Sequence, residues 1–266
     1  MSDGSLLRGG SRLATTTGVR ALAALALGAL VAAGCDRGGR AGADTAKNAP
    51  GQSASSGDCS AVPDANALTR LVRAAPDSGE AGGLFGGRAE WAAVVNRAGH
   101  VCAIVIGKDS AGGRWPGSRN IARAKAFTAN GFSTDTLALS TARLYTLVQP
   151  GHSLYGVAQL EPYDPACLAD DKDVCGGAIA FGGGVPLYKN GRIVGGLGVS
   201  GDTPCADHEI AKRIRHMAGL DPKGGMTVDD ITYSSVDHPS IYTHPLCPNT
   251  WRNGRKIGEE PPASGY

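Results

Sequence analysis

The chain has 266 residues, a formal net charge of +2, 40 glycines and 5% aromatic residues. Its near-balanced charge is spread without a basic block or interleaved aromatics, which excludes a nucleic-acid surface. The glycine excess points to tight turns and closely approaching backbones rather than to a stacking platform.

At the N-terminus, Arg8, Arg12 and Arg20 precede the apolar run ALAALALGALVAAGC, which ends on small residues. This is the pattern of an export signal. The apolar stretch 21–33 falls short of the roughly 20 residues that a bilayer span needs, so residues 1–34 are expected to be a cleaved signal peptide. Cys35 follows Ala32-Ala33-Gly34 in a segment that resembles a bacterial lipoprotein lipobox. The resemblance implies cleavage before Cys35, lipid on its thiol and a membrane anchor; Asp36 then implies retention in the inner membrane, facing the periplasm. Residues 35–57 are small, polar and rich in Gly, Ala and Ser, which reads as a flexible tether. One domain is expected over 58–250, and residues 251–266 as a loosely held tail.

Seven cysteines cannot all pair in an oxidising compartment, but setting Cys35 aside leaves six, enough for three disulfides. Cys167 with Cys175 would close a short loop and is the first pairing expected. Cys59 with Cys102 and Cys205 with Cys247 remain. No C-x-x-C occurs, which argues against a thioredoxin-type redox site and covalent c-type haem.

Within the domain, Asp64 is placed to cap a helix whose apolar positions Leu68, Leu71, Val72 and Ala75 share one face before Pro76 stops it. WAAVVN and HVCAIVI, separated by Arg97-Ala98-Gly99, predict a hairpin. Ser118 would cap a helix with a thin face of Ala122, Ala126 and Ala129, ending at Gly131. The spacing of Leu137, Thr141, Leu144 and Val148 predicts another helix, over 135–148. A second hairpin is expected where AIAFGGGVPLY and RIVGGLGVS flank Asn190-Gly191. The last helix starts at Thr203 with Pro204 in its first position, and buries Ala206, Ile210, Ile214 and Met217. Hairpins pair antiparallel, so the fold class is α+β: an antiparallel sheet built from two hairpins and flanked by helices.

Gly196-Leu197-Gly198-Val199-Ser200-Gly201 matches G-x-G-x-x-G. The dinucleotide fingerprint requires a parallel first strand before it and an acidic strand end about 20 residues later. Here the preceding strand returns from a hairpin, and Asp221 lies in a helix stop, so no nucleotide is expected. Alternation instead puts Gly196, Gly198 and Ser200 on one strand face, extended by Gly182, Gly183 and Gly184 on the partner arm. A face so bare admits either a closely packed helix or a flat ligand. Asp207, His208 and Glu209 crowd the start of the last helix, where carboxylates suit the dipole, and adjacent helix positions diverge too far to serve one ion together. The pair His208 and Lys212 reads as a solvated face. The other histidines form no sequence cluster with metal-ligand spacing. Ser200 stands one place too late for a G-x-S-x-G elbow, so no catalytic residue is assigned.

In combination and order, AVVNRAG at 93–99, Lys125-Ala126-Phe127-Thr128-Ala129, FGGGVPL at 181–187, GRIVGGLGVSG at 191–201 and Asp207-His208-Glu209-Ile210-Ala211 resemble the HbpS/GlcG family. That family includes the C-terminal domain of PduO-type proteins and is described as haem-binding or haem-degrading. The resemblance covers roughly residues 60 to 220. It implies a mixed domain with an antiparallel sheet and helices, an oligomer and a haem ligand. Asn96 stands where the family usually carries Asp, and His208 replaces the second acid of a common Asp-Glu pair. The resulting expectation is a lipid-anchored, periplasm-facing protein binding haem or a related flat cofactor. Gly183, Gly184, Gly196, Gly198 and His208 are its cofactor-contact candidates, and His208 with Glu209 its metal-ligand candidates. The competing expectation is a non-catalytic assembly or partner-binding module for which the glycine face is packing, and a haem-degrading enzyme ranks behind both.

Overall fold

The computed structural model describes residues 58–107, 115–160 and 176–261. The export signal, Cys35, the tether up to residue 57 and the Cys167–Cys175 pairing lie outside the described residues. Among the described residues, no helix is long and apolar enough to cross a membrane.

Helix α1 (Ala65–Ala74) is capped by Asp64, whose carboxylate accepts from the Ala67 amide, and buries Leu68 and Val72. The chain then tightens into a 3-10 turn, Ala75–Ser78, at Pro76, which cannot donate to a continued helix. Strands β1 (Trp91–Asn96) and β2 (Val101–Ile106) form the first hairpin. Helix α2 (Ser118–Phe132) follows, and then the single-turn α3 (Val157–Leu160). Strands β3 (Gly184–Lys189) and β4 (Arg192–Ser200) form the second hairpin. Its turn places Asn190 at φ 53° and Gly191 at φ 75°, the doubly left-handed geometry that favours Asn-Gly.

The hairpins join through β1 and β4, also antiparallel, with Val94 opposite Leu197, so the sheet order is β2-β1-β4-β3. Helix α4 (Pro204–Met217) begins at Thr203, whose hydroxyl accepts from the Ala206 amide. Leu68 and Val72 of α1, Ile210 and Ile214 of α4, and Val94, Val185, Leu197 and Val199 of the sheet form the main core. Helix α2 packs chiefly on β4 and β1, against the glycine-bearing side.

Three sequence expectations need correction. The helix expected over 135–148 is an irregular segment with two 3-10 turns, Thr141–Leu144 and Thr146–Val148. Side-chain oxygens compete with the helix there: Ser133 Oγ accepts from the Leu139 amide, Thr134 Oγ1 from the Leu137 amide and Thr141 Oγ1 from the Gly184 amide. Helix α2 runs through Gly131 to Phe132, and Ser118 lies inside it rather than capping it. The tail is not loose where it leaves the domain: β5 (Thr250–Arg252) and β6 (Arg255–Gly258) pair antiparallel. Asn253 and Gly254 both have positive φ at this turn, a second Asn-Gly hairpin.

Candidate functional site

The bare strand face is filled by α2. A Cβ on Gly196 would meet Ala126 O and lie 3.1 Å from Asn130 Cβ; one on Gly198 would meet Ala122 O and lie 2.5 Å from Ala126 N. These obstacles are helix backbone, which cannot turn aside as a side chain can. The alanines at 122, 126 and 129 are fully buried against the sheet, so small residues on both partners let helix and strand approach this closely. A Cβ on Gly184 would lie 2.6 Å from Lys125 O, and one on Gly183, at φ +116°, 2.6 Å from Lys125 Nζ and 2.8 Å from Asp207 Cβ. None of the four glycines offers a surface to a flat ligand.

What lies beneath them is a buried charge junction. Lys125 Nζ donates to Asp207 Oδ2 at 2.6 Å and to Val199 O at 2.9 Å, with no side-chain exposure. The ammonium also sits 4.8 Å from the centre of the Phe181 ring. Asp207 Oδ1 accepts from the Asp202 amide, joining α4 to the end of β4. Glu90, just before β1, is fully buried, and neither of its oxygens receives a donor. Burial, with Asp207 and Asp202 nearby, raises its pKa well above the ordinary carboxyl value. Glu90, Asp207 and Lys125 thus place two carboxyls and one ammonium in one buried cluster, in which Glu90 is driven toward its neutral form. Asp202 closes the adjoining loop: its carboxylate accepts from the amides of Leu84, Phe85 and Gly87, which explains the glycine-rich link before β1.

Helix α4 differs from its sequence reading. Of its expected stripe Met217 is exposed, whereas His208 and Lys212, expected on a solvated face, are each 1% exposed. His208 Nε2 lies 3.3 Å from Asp230 Oδ1. Lys212 Nζ reaches Glu209 Oε1 at 2.5 Å, Asp230 Oδ2 at 2.9 Å and Asn253 Oδ1 at 2.8 Å. Glu209 also accepts from Arg213 and from the Asn253 amide. His208 and Glu209 are therefore committed to different protein partners and do not converge on one ion. Burial pushes Asp230 up, but His208 and Lys212 outweigh it and hold the carboxyl well below its usual range. The segment after residue 217 supplies Asp230 and Asn253, so it completes the core around α4.

Cys59 is bonded to Cys102 and Cys205 to Cys247. The second bridge ties the first turn of α4 to the irregular C-terminal segment. Beside it lies His244, 2% exposed, with its ring tilted against Tyr145. Desolvation lowers its pKa to about 4. His244 and Cys247 stand in a local H-x-x-C spacing that corrects the expectation of no histidine cluster, and the tertiary fold brings the distant Cys205 to them.

A family model described as haem-degrading protein HbpS-like matches residues 64–215. The chain belongs to the HbpS-like family. Among curated relatives, this HbpS-like chain is similar to the corrinoid adenosyltransferase PduO of Citrobacter freundii and that of Salmonella typhimurium, each 35% identical over 95 residues. That match covers 36% of this chain and 23% of each relative, so the chain spans about a quarter of the relatives' length. Solved structures similar to it include a PduOC:heme complex, at TM-score 0.42 and 24% identity over 58% of this chain and 91% of that one. The crystal structure of HbpS aligns at TM-score 0.40 and 24% identity over 57% and 86%. The HbpS-like motifs meet at Lys125: Lys125-Ala126-Phe127 supplies the ammonium, Phe181-Gly182-Gly183 the covering loop, Val199 an acceptor and Asp207 the counter-ion. Sequence reasoning missed Lys125 and Glu90 as members of one cluster. The signal that could have found the first was a lysine interrupting an alanine-faced helix.

Proposed function

We propose that this HbpS-like protein binds haem or a related tetrapyrrole as a lipid-anchored, periplasm-facing domain. The family match over residues 64–215 carries the ligand reading, and the lipobox-like segment ending at Cys35 motivates the anchor. The described activities of the family and of the partial relatives, haem degradation and corrinoid adenosyl transfer, both concern flat tetrapyrrole-type macrocycles, which supports the ligand class. The residues first expected to hold it do not fit: α2 covers Gly196 and Gly198, and His208 is walled in beside Asp230. Binding therefore takes place away from that face, and no chemical step is assigned to it.

Haemin titrated into the purified protein is expected to give a saturable Soret shift at micromolar concentration, and His208→Ala is expected to retain it in the fraction that remains folded. Absence of a shift in the wild-type protein would sink the haem reading. Mass spectrometry of the mature N-terminus tests the anchor, with an unmodified Cys35 against it. A second reading, a partner-binding or self-assembling module, is favoured by the helix-filled glycine face. A stable oligomer or complex that is indifferent to haemin would select it.

A further inference from the structure

We propose that Cys205, His244 and Cys247 form a redox-gated site for a thiophilic cation of the zinc class, closed while the Cys205–Cys247 disulfide is intact and opened by its reduction. One ligand atom from each of the three residues lies within 4.8 Å of the other two, and all three residues are buried. The ring of His244 is already oriented. Its Nδ1 lies 2.7 Å from Pro245 O, which can only accept, so Nδ1 carries the proton. Nε2 is then the basic nitrogen, accepting from the Gly182 amide at 3.3 Å. A backbone carbonyl holding the second imidazole nitrogen is the usual support of a metal-bound histidine.

The sulfurs are also prepared. Cys205 sits in the first turn of α4, directly after Pro204, and its amide points at Cys247 Sγ, 3.2 Å away. The helix N-terminus and this amide favour thiolate over thiol once the bridge is broken. The two Cα atoms are 6.0 Å apart. Two thiolates on one tetrahedral zinc, at about 2.3 Å each, stand roughly 3.8 Å apart, a separation that side-chain rotation from this backbone can reach. Three protein ligands leave a fourth position for water or another donor.

The electron balance is simple. A dithiol reductant becomes a disulfide as the S–S bond of Cys205–Cys247 takes up two electrons and two protons. The cation then displaces those two thiol protons and binds two thiolates and the neutral imidazole. The bridge and the metal are thus alternative fasteners between α4 and the C-terminal segment.

The test uses Co2+ as a spectroscopic probe and Zn2+ as its competitor, on a full-length variant carrying Ser at Cys35, Cys59, Cys102, Cys167 and Cys175. After reduction by a phosphine under anaerobic conditions, one equivalent of Co2+ is expected to produce thiolate charge-transfer and tetrahedral d–d bands, removed by Zn2+. The oxidised form should show none, and His244→Gln should weaken binding at least tenfold. Should the multiple variant not fold, the reduced wild-type chain gives an independent readout: Zn2+ is expected to protect Cys205 and Cys247 from alkylation, but not Cys59 and Cys102. No tetrahedral band in folded reduced variant, binding unchanged by His244→Gln, or equal alkylation of all four cysteines with Zn2+ present would overturn the site.

Discussion

Replacing Gly198 by alanine distinguishes a packed strand face from a ligand shelf. The new Cβ would overlap Ala122 O and come within 2.5 Å of Ala126 N and 2.9 Å of Lys125 Cβ. Restoring contact to about 3.4 Å requires α2 to withdraw by roughly 1 Å at Ala126 and further at Ala122, loosening dispersion contacts along the whole interface. Overpacking a core commonly costs about 1–3 kcal/mol. Here the obstacle is backbone, and the same helical turn holds the Lys125–Asp207 pair, so a loss of about 3–5 kcal/mol is expected. With a urea dependence of about 2 kcal/mol per M, the unfolding midpoint should fall by roughly 1.5–2.5 M. Gly131→Ala is the matched control, because that helical glycine has nothing within 4 Å of its absent Cβ and should gain about 0.5–1 kcal/mol. Equilibrium urea unfolding followed by circular dichroism measures both. A Gly198→Ala protein as stable as wild type but deprived of its haemin Soret shift would refute the packing argument and restore the shelf.

Two further outcomes follow from the buried charges and bridges. Glu90 keeps its proton in the folded protein at pH values where the unfolded chain has lost it. Its contribution is complete below the ordinary carboxyl pKa and is lost as pH rises toward the raised folded value, with a slope of up to about 1.4 kcal/mol per pH unit. Glu90→Gln should therefore leave thermal stability near pH 4 unchanged and raise it at pH 7; equal melting temperatures at pH 7 would contradict a neutral Glu90. Cys59→Ser with Cys102→Ser removes a bridge spanning 43 residues of sequence. Chain-entropy reasoning gives a loss of about 4 kcal/mol, readable as a lower urea midpoint, and a loss below about 1 kcal/mol would show that the unfolded chain gains little freedom without the bridge.

Patterns acting over a few residues are legible in the sequence alone. Asp64 and Thr203 cap their helices through their own side-chain oxygens. Asn190-Gly191 turns a hairpin because both residues tolerate positive φ. The antiparallel α+β class follows from two hairpins and amphipathic helices. The same local logic fails between 135 and 148, where hydroxyl groups bonded to the backbone replace the helix that the apolar spacing suggests.

The occupant of the glycine face cannot be read in one dimension. Alternation establishes that Gly196 and Gly198 leave one side of β4 bare, but whether a helix or a ligand fills it depends on where α2 docks. The fold brings the Ala122 and Ala126 backbone onto that face. Burial of polar groups is similarly hidden. His208, Glu209 and Lys212 look solvated when α4 is read alone, yet Asp230 and Asn253, contributed from beyond its end, enclose them and supply their partners. Local steric preference determines turns, caps and strand faces; the pairing of distant charges and sulfurs depends on the three-dimensional path that brings them together.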